Sequence, residues 1–387
     1  GLKPINGSLI QHDYQNELTN GYFLFNNPNP SIAKTNLINN LKTMQVDNSL
    51  VVKSNTSNIY NAISDGGVDE YIKNVDKNNV VANLNNSDIF LSNDKVSVSE
   101  IEQYYSCPFK HFVDRGLRLK ENDKAEFDGR QYGNILHEYV KLVVEYIDKN
   151  GETGLKEYSN KVFDDILNQD KYKYLLLNPN NCNDIKGLKK EIMRINNALV
   201  NISKSSQLKP QWLEKRCDGF KISNDNTSII LQGIIDRVDF DKDSFIIIDY
   251  KTGESDFSDY TDIVSGKKLQ LMVYAYIVSN LTGKTPIGVF YMPLKNIYSK
   301  GNSEELYKLK GAISSNLEDI FKVDKSLENT GVKSNIINVK RDDKGKVDGK
   351  ILIDPKTFQE LIDFTIDKVL KAVEDIRQGV IEPKPLM

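Results

Sequence analysis

The sequence holds three cysteines, Cys107, Cys182 and Cys217, among 387 residues. They lie far apart and form no C-x-x-C pair, which argues against a disulfide framework and leaves reduced thiols as the expectation. No apolar run approaches the roughly 20 residues a membrane-spanning helix needs, and the opening residues lack a signal-peptide apolar stretch, so a cytoplasmic location is expected. A basic balance is missing too, because the formal net charge is −3. That counts only weakly against DNA as a partner. A site that binds a divalent cation through carboxylates needs local acidity, and phosphate contacts can come from a small basic patch or another subunit.

What is present is a 39% hydrophobic chain, enough for a substantial core and two or three domains. It begins without Met and stops soon after a predicted helix, which reads as a piece of a longer protein. Residues 1 to 95 are rich in Asn, Ser and Asp and carry no catalytic constellation. Ser97-Val98-Ser99-Glu100 fits a capping box, with Ser97 capping and Glu100 reaching back, and predicts a helix toward Tyr105 that Pro108 limits. Tyr132, Leu136, Tyr139, Val140, Val143 and Ile147 recur at helical spacing with His137 beside their stripe. Helical, charged sequence continues over 152–205, and Trp212 to Ile222 reads as a strand. A β-hairpin is expected within Ser228 to Tyr250, with arms Ile229-Ile230-Leu231 and Phe245 to Ile248. A helix from Lys267 to about Leu281, a buried strand Pro286 to Tyr291, an edge strand within Lys346 to Asp354 and a helix Phe358 to Ile376 follow.

Two acids and a lysine interrupt otherwise apolar strands: Asp236 in Gly233-Ile-Ile-Asp-Arg-Val-Asp239, and Asp249 and Lys251 in Asp249-Tyr-Lys-Thr-Gly253. If the hairpin folds about Lys242-Asp243, Phe240 faces Phe245, Val238 faces Ile247, and Asp236 falls opposite Asp249. Directly opposed residues have Cβ atoms about 4.5–5.5 Å apart. Two carboxylates that close repel unless a cation sits between them, and oxygen donors suit Mg²⁺ or Mn²⁺. Lys251, two residues beyond Asp249, shares its face. Any one of these residues alone fits a structural ion pair. Together they form a hydrolytic unit in which the metal would polarise a phosphoryl group and Lys251 would orient water. Arg237 and Asp239 alternate to the opposite face and are expected to be structural.

These motifs, with Gln270-Leu-Met-Val-Tyr274, resemble the RecB-type branch of the PD-(D/E)XK nucleases. Gly133-Asn-Ile-Leu-His137-Glu138 resembles that branch's upstream helix motif, which implies His137 as a metal ligand beside Asp236 and Asp249. Gln270 and Tyr274 either face DNA or support the motif. The implied fold class is α/β, a PD-(D/E)XK nuclease core of mixed sheet flanked by helices, with a helical insertion at 152–205. Ser97 to Phe112, with Cys107 before Pro108-Phe109, is similar to the start of the nuclease domain in AddB-like subunits of bacterial helicase–nucleases. That resemblance covers about 96–387 as a nuclease domain and implies that 1–95 are the tail of an upstream helicase-like region.

The resemblance also implies Cys107 as one ligand of a [4Fe-4S] cluster whose other three cysteines would follow the last helix. Cys182 and Cys217 do not match those positions, so a cluster, which needs four ligands, is expected only in a longer chain. No G-x-x-x-x-G-K-[ST] phosphate loop occurs, so an ATP-driven motor would lie elsewhere, and an AddA-like partner is implied. The expected function is Mg²⁺- or Mn²⁺-dependent exonucleolytic hydrolysis of DNA within double-strand break repair. The alternative is a catalytically silent nuclease fold that binds DNA or scaffolds the complex.

Overall fold

The computed structural model describes residues 94–117, 129–253, 260–294 and 307–382, all within the unit Val81–Met387. The expectation for residues 1 to 93 lies outside the described residues. Strand β1 (Lys95–Ser97) leads into helix α1 (Val98–Ser106). Ser97 Oγ accepts the Glu100 amide at 3.3 Å, which satisfies one of the helix's free N–H groups. The reciprocal half of the expected capping box is replaced: the Glu100 carboxylate takes the buried His111 Nε2 at 3.3 Å. Helix α2 (Gly129–Asn150) buries Leu136, Tyr139, Val140, Val143 and Ile147, the stripe its spacing predicts. Helices α3 (Leu155–Leu167), α4 (Asp170–Leu177) and α5 (Cys182–Ser205) follow.

The strand region departs from expectation in two places. Trp212 to Ile222 is not one strand but β2 (Lys209–Arg216) and β3 (Phe220–Ser223), parted where Gly219 adopts φ +96°, a conformation glycine reaches without strain. Next come β4 (Ser228–Gln232), β5 (Ile234–Phe240) and β6 (Ser244–Lys251). The partner of β6 is β5 rather than the Ile229–Leu231 arm, which pairs with β1 and β3 in a separate three-stranded sheet. The chain changes sheets at Gly233. A Cβ there would lie 2.8 Å from the Tyr274 hydroxyl, so only glycine allows the close approach.

Helix α6 (Gln270–Thr282) begins three residues later than expected, because the Asp262 carbonyl captures the Lys267 and Lys268 amides in a turn at Gly266. Strands β7 (Thr285–Pro293) and β8 (Lys310–Ser314), helix α7 (Leu317–Val323), edge strand β9 (Leu352–Ile353) and helix α8 (Pro355–Arg377) complete the order. Among the described residues the main sheet runs β9-β8-β7-β6-β5-β2. It is mixed, with β6 parallel to β7 and β8 to β9, the other pairs antiparallel.

Period-two alternation along β6 divides the core. Phe245 and Ile247 pack with α6 and α8, whereas Ile246, Ile248 and Tyr250 pack with α2, α3, α5 and α7. Helices therefore cover both faces of the sheet, and the β5, β6 and β2 ends near Asp236 remain for chemistry. No helix among the described residues is long and apolar enough to cross a membrane.

Candidate metal centre and active site

The β5–β6 ladder pairs Phe240 with Phe245, Val238 with Ile247, and Arg237 with Ile248. This is the register expected from the turn, and it stops one pair short of Asp236 and Asp249. There the Asp236 Oδ2 carboxylate oxygen accepts the Tyr250 amide at 2.8 Å, in place of a ladder bond. On the other side, β2 pairs Leu213 with Arg237 and Lys215 with Ile235, which sets Glu214 opposite Asp236. Glu214 holds φ +50°, a left-handed backbone that is uncommon for a residue with a side chain. Strain of this kind persists where the surroundings over-determine it, often at functional sites. Glu214, Asp236 and Asp249 thus occupy neighbouring positions on three adjacent strands.

His137 arrives from α2. Its Nδ1 lies 3.5 Å from both Asp236 Oδ1 and Glu214 Oε1, while Nε2 donates to the Tyr250 carbonyl at 3.1 Å. With Nε2 carrying the proton, the Nδ1 lone pair faces the carboxylates, the tautomer a metal ligand needs. Gly133, one turn earlier, lies beside Thr252: a Cβ there would sit in ordinary contact with Oγ1 at 3.6 Å. Adjacent Glu138 turns away and binds Gln169 and Lys171, each at 2.6 Å, tying α2 to the 168–171 segment.

Lys251 stands beside Asp249, its Nζ 2.6 Å from Asp249 Oδ2 as an ion pair. The ammonium donates to Gln270 Oε1 at 2.8 Å, and Gln270 Nε2 donates to the Tyr274 hydroxyl oxygen at 3.3 Å. Gln270 and Tyr274, four apart on α6, therefore fix the lysine's position. Lys268 forms an ion pair with Asp262 at 2.7 Å.

The electrostatics are those of carboxylates crowded at one strand end. Burial, then the neighbouring charge of Asp236, pushes the Asp249 carboxyl up to about 7 against the pull of Lys251. Burial disfavours the His137 imidazolium, but Asp236 and Glu214 together outweigh it and raise the group to about 10. Asp249 Oδ2 is held by the Lys251 ammonium at 2.6 Å, while Glu214 Oε1 is buried with His137 Nδ1, at 3.5 Å, as its charged neighbour. His137, Glu214 and Asp236 present one ligand atom each within 4.8 Å of one another. Carboxylates with one imidazole fit a small divalent cation, and the convergence of His137, Glu214 and Asp236 is the observation that favours it.

The opposite face is different. Arg237 Nε and Nη2 donate to the two Asp239 oxygens at 2.7 Å each, and both residues are buried. The pair is complete and structural, as alternation predicts. Cys107 is half-buried after α1, Cys182 exposed and Cys217 buried. One thiol at Cys107, with the other two elsewhere, does not fit an iron–sulfur cluster, which needs four ligands. Glu214 escaped the sequence reading: no motif marks it, and its one signal, a strand partner of Asp236, needs the β2–β5 register.

The sequence model of the PD-(D/E)XK nuclease superfamily matches residues 95–386. Among curated proteins, the chain is similar to the AddB-type subunits of ATP-dependent helicase/deoxyribonucleases from Oceanobacillus iheyensis, 27% identical, Staphylococcus haemolyticus, 26%, and Caldanaerobacter subterraneus, 30%. Each alignment covers 75% of this chain and 28%, 29% and 28% of the relative, so the chain spans less than a third of their length. The matched span holds every residue of the strand-end cluster, and the chain belongs to the PD-(D/E)XK nuclease superfamily.

Proposed function

We propose that residues 96–387 form a metal-dependent deoxyribonuclease domain that hydrolyses DNA phosphodiesters. The observation that carries this is the row of carboxylates Glu214, Asp236 and Asp249 on adjacent strands, with His137 against two of them and the Lys251 ammonium, held by Gln270, against the third. Asp236, Asp249, Glu214 and His137 would hold Mg²⁺ or Mn²⁺. That ion would supply Lewis acidity at the phosphoryl group. Lys251 is the residue placed to orient water and to offset charge growing on the phosphate. Water adds its oxygen to phosphorus as a P–O bond breaks, leaving a phosphomonoester and a hydroxyl. Tyr250 contributes its backbone, holding Asp236 through its N–H and His137 through its carbonyl.

The names of the relatives, subunits B of ATP-dependent helicase/deoxyribonucleases, support a DNA substrate and a place beside another subunit; the reading extends to an AddA-like partner carrying the motor, exonucleolytic processing of double-strand breaks, and an upstream helicase-like region that ends near residue 95. The test is degradation of linear single-stranded DNA by the chain with Mg²⁺ or Mn²⁺. Cutting that stops with EDTA and in Asp236→Ala and Lys251→Ala supports the reading. Mn²⁺ binding without cutting, in the presence of its partner subunit, would favour a silent nuclease fold instead.

A further inference from the structure

Helix α6 starts without a capping side chain of its own: Leu269 occupies the N-cap position and offers no side-chain acceptor. The first amides of such a helix need acceptors from elsewhere. They find one in α1, where a single oxygen of Glu102, Oε1, accepts Leu269 N at 2.7 Å and Gln270 N at 3.0 Å, across 167 and 168 residues of sequence. Negative charge at a helix N-terminus also interacts favourably with the helix dipole. Tyr105, one turn on from Glu102, packs on the same turn: a Cβ on Gly266 would overlap its ring, and its hydroxyl donates to the Lys368 carbonyl of α8 at 2.8 Å. Helix α1 thus grips the start of α6 through two side chains on one face.

Gln270 is the residue whose backbone Glu102 holds and whose side chain accepts the Lys251 ammonium. We infer that Glu102 is a positioning residue for Lys251: it fixes the first turn of α6, which fixes Gln270, which fixes the lysine. This rests on the proposed function only for its effect on cutting. It also gives the segment bearing Cys107 a mechanical connection to the site through α1.

Because one oxygen takes both amides, the conservative variants separate its roles. Glu102→Gln keeps an acceptor there and removes the charge, whereas Glu102→Asp keeps the charge and withdraws the acceptor by one methylene. The experiment is amine labelling of the 387-residue chain, read at Lys251 by mass spectrometry with the other lysines as internal controls. Loss of an ordering hydrogen bond predicts that Glu102→Asp speeds labelling of Lys251 about ten-fold, with Glu102→Gln near wild type. A second readout follows DNA cutting: Glu102→Asp should lower kcat about ten-fold at unchanged Mn²⁺ affinity, and be non-additive with Gln270→Ala. Wild-type labelling of Lys251 in Glu102→Asp would overturn the inference, as would strict additivity with Gln270→Ala. If the wild-type chain fails to cut DNA, the proposed function falls while the labelling result still decides this one.

Discussion

Asp236 and Asp239 lie three residues apart on β5 and face opposite sides of the sheet. Asp239 has both oxygens bound by one guanidinium and is wholly buried. Asp236 shares its side with Asp249, whose Oδ2 is paired with an ammonium at 2.6 Å, and with Glu214 at the neighbouring strand position. The side that is electrostatically complete holds the fold together. The incomplete side keeps like charges in proximity, an arrangement that costs stability and is worth keeping where a ligand completes it.

The strongest way to break this comparison is Arg237→Met. It strands the buried Asp239 charge and should cost about 3–5 kcal/mol, read as a fall in the urea midpoint, whereas Arg237→Met with Asp239→Leu should recover most of it. A single variant as stable as wild type would show that the pair is not structural. On the other side, Asp249→Asn should reduce cutting on the order of a hundred- to a thousand-fold. Its urea midpoint should stay at or above the wild-type value, since the variant relieves repulsion with Asp236. A drop in stability matching that of Arg237→Met would erase the distinction between the faces.

Metal removal sharpens the same contrast. Mn²⁺ at a hundred times its dissociation constant should stabilise the wild-type chain by about 2.7 kcal/mol in calorimetry. EDTA should abolish that gain, Asp249→Asn should lose most of it, and the Arg237→Met, Asp239→Leu protein should keep it. The smallest effect belongs to the turn joining the two strands. At Asp241, burial is outweighed by the Lys322 ammonium and by the Ser244 and Asp243 groups, which lower the carboxyl from 3.8 to about 2. A folded-state value below the unfolded one gives stability that is full above about pH 4 and lost as pH falls toward 2. Asp241→Asn should remove about 1 kcal/mol at neutral pH, once solvent screening is allowed for, and flatten acid unfolding over that window.

Much of this architecture was legible in the sequence. The turn at Lys242-Asp243 set the register from Phe240–Phe245 onward, and period two set Lys251 beside Asp249 and Arg237 against them. The spacing of α2 and α8 marked their buried stripes. The errors cluster at glycines. Gly219 and Gly233 divide stretches that read as continuous strands, and local pattern alone does not say that neighbouring segments enter different sheets. Helix α6 lost its first expected turn to the Asp262 carbonyl, a local competition that periodicity does not register.

The sequence by itself determined which residues share a strand face and which share a helix face, because those periods are properties of the local backbone. Tertiary structure decided which faces meet. His137 reaches the Tyr250 carbonyl across 113 residues, and Glu102 reaches α6 across 167. Glu214 enters the cluster only because β2 pairs with β5 and its backbone takes a left-handed turn there. Such meetings follow from how the sheet and its covering helices pack, a property of the whole chain that no local pattern encodes.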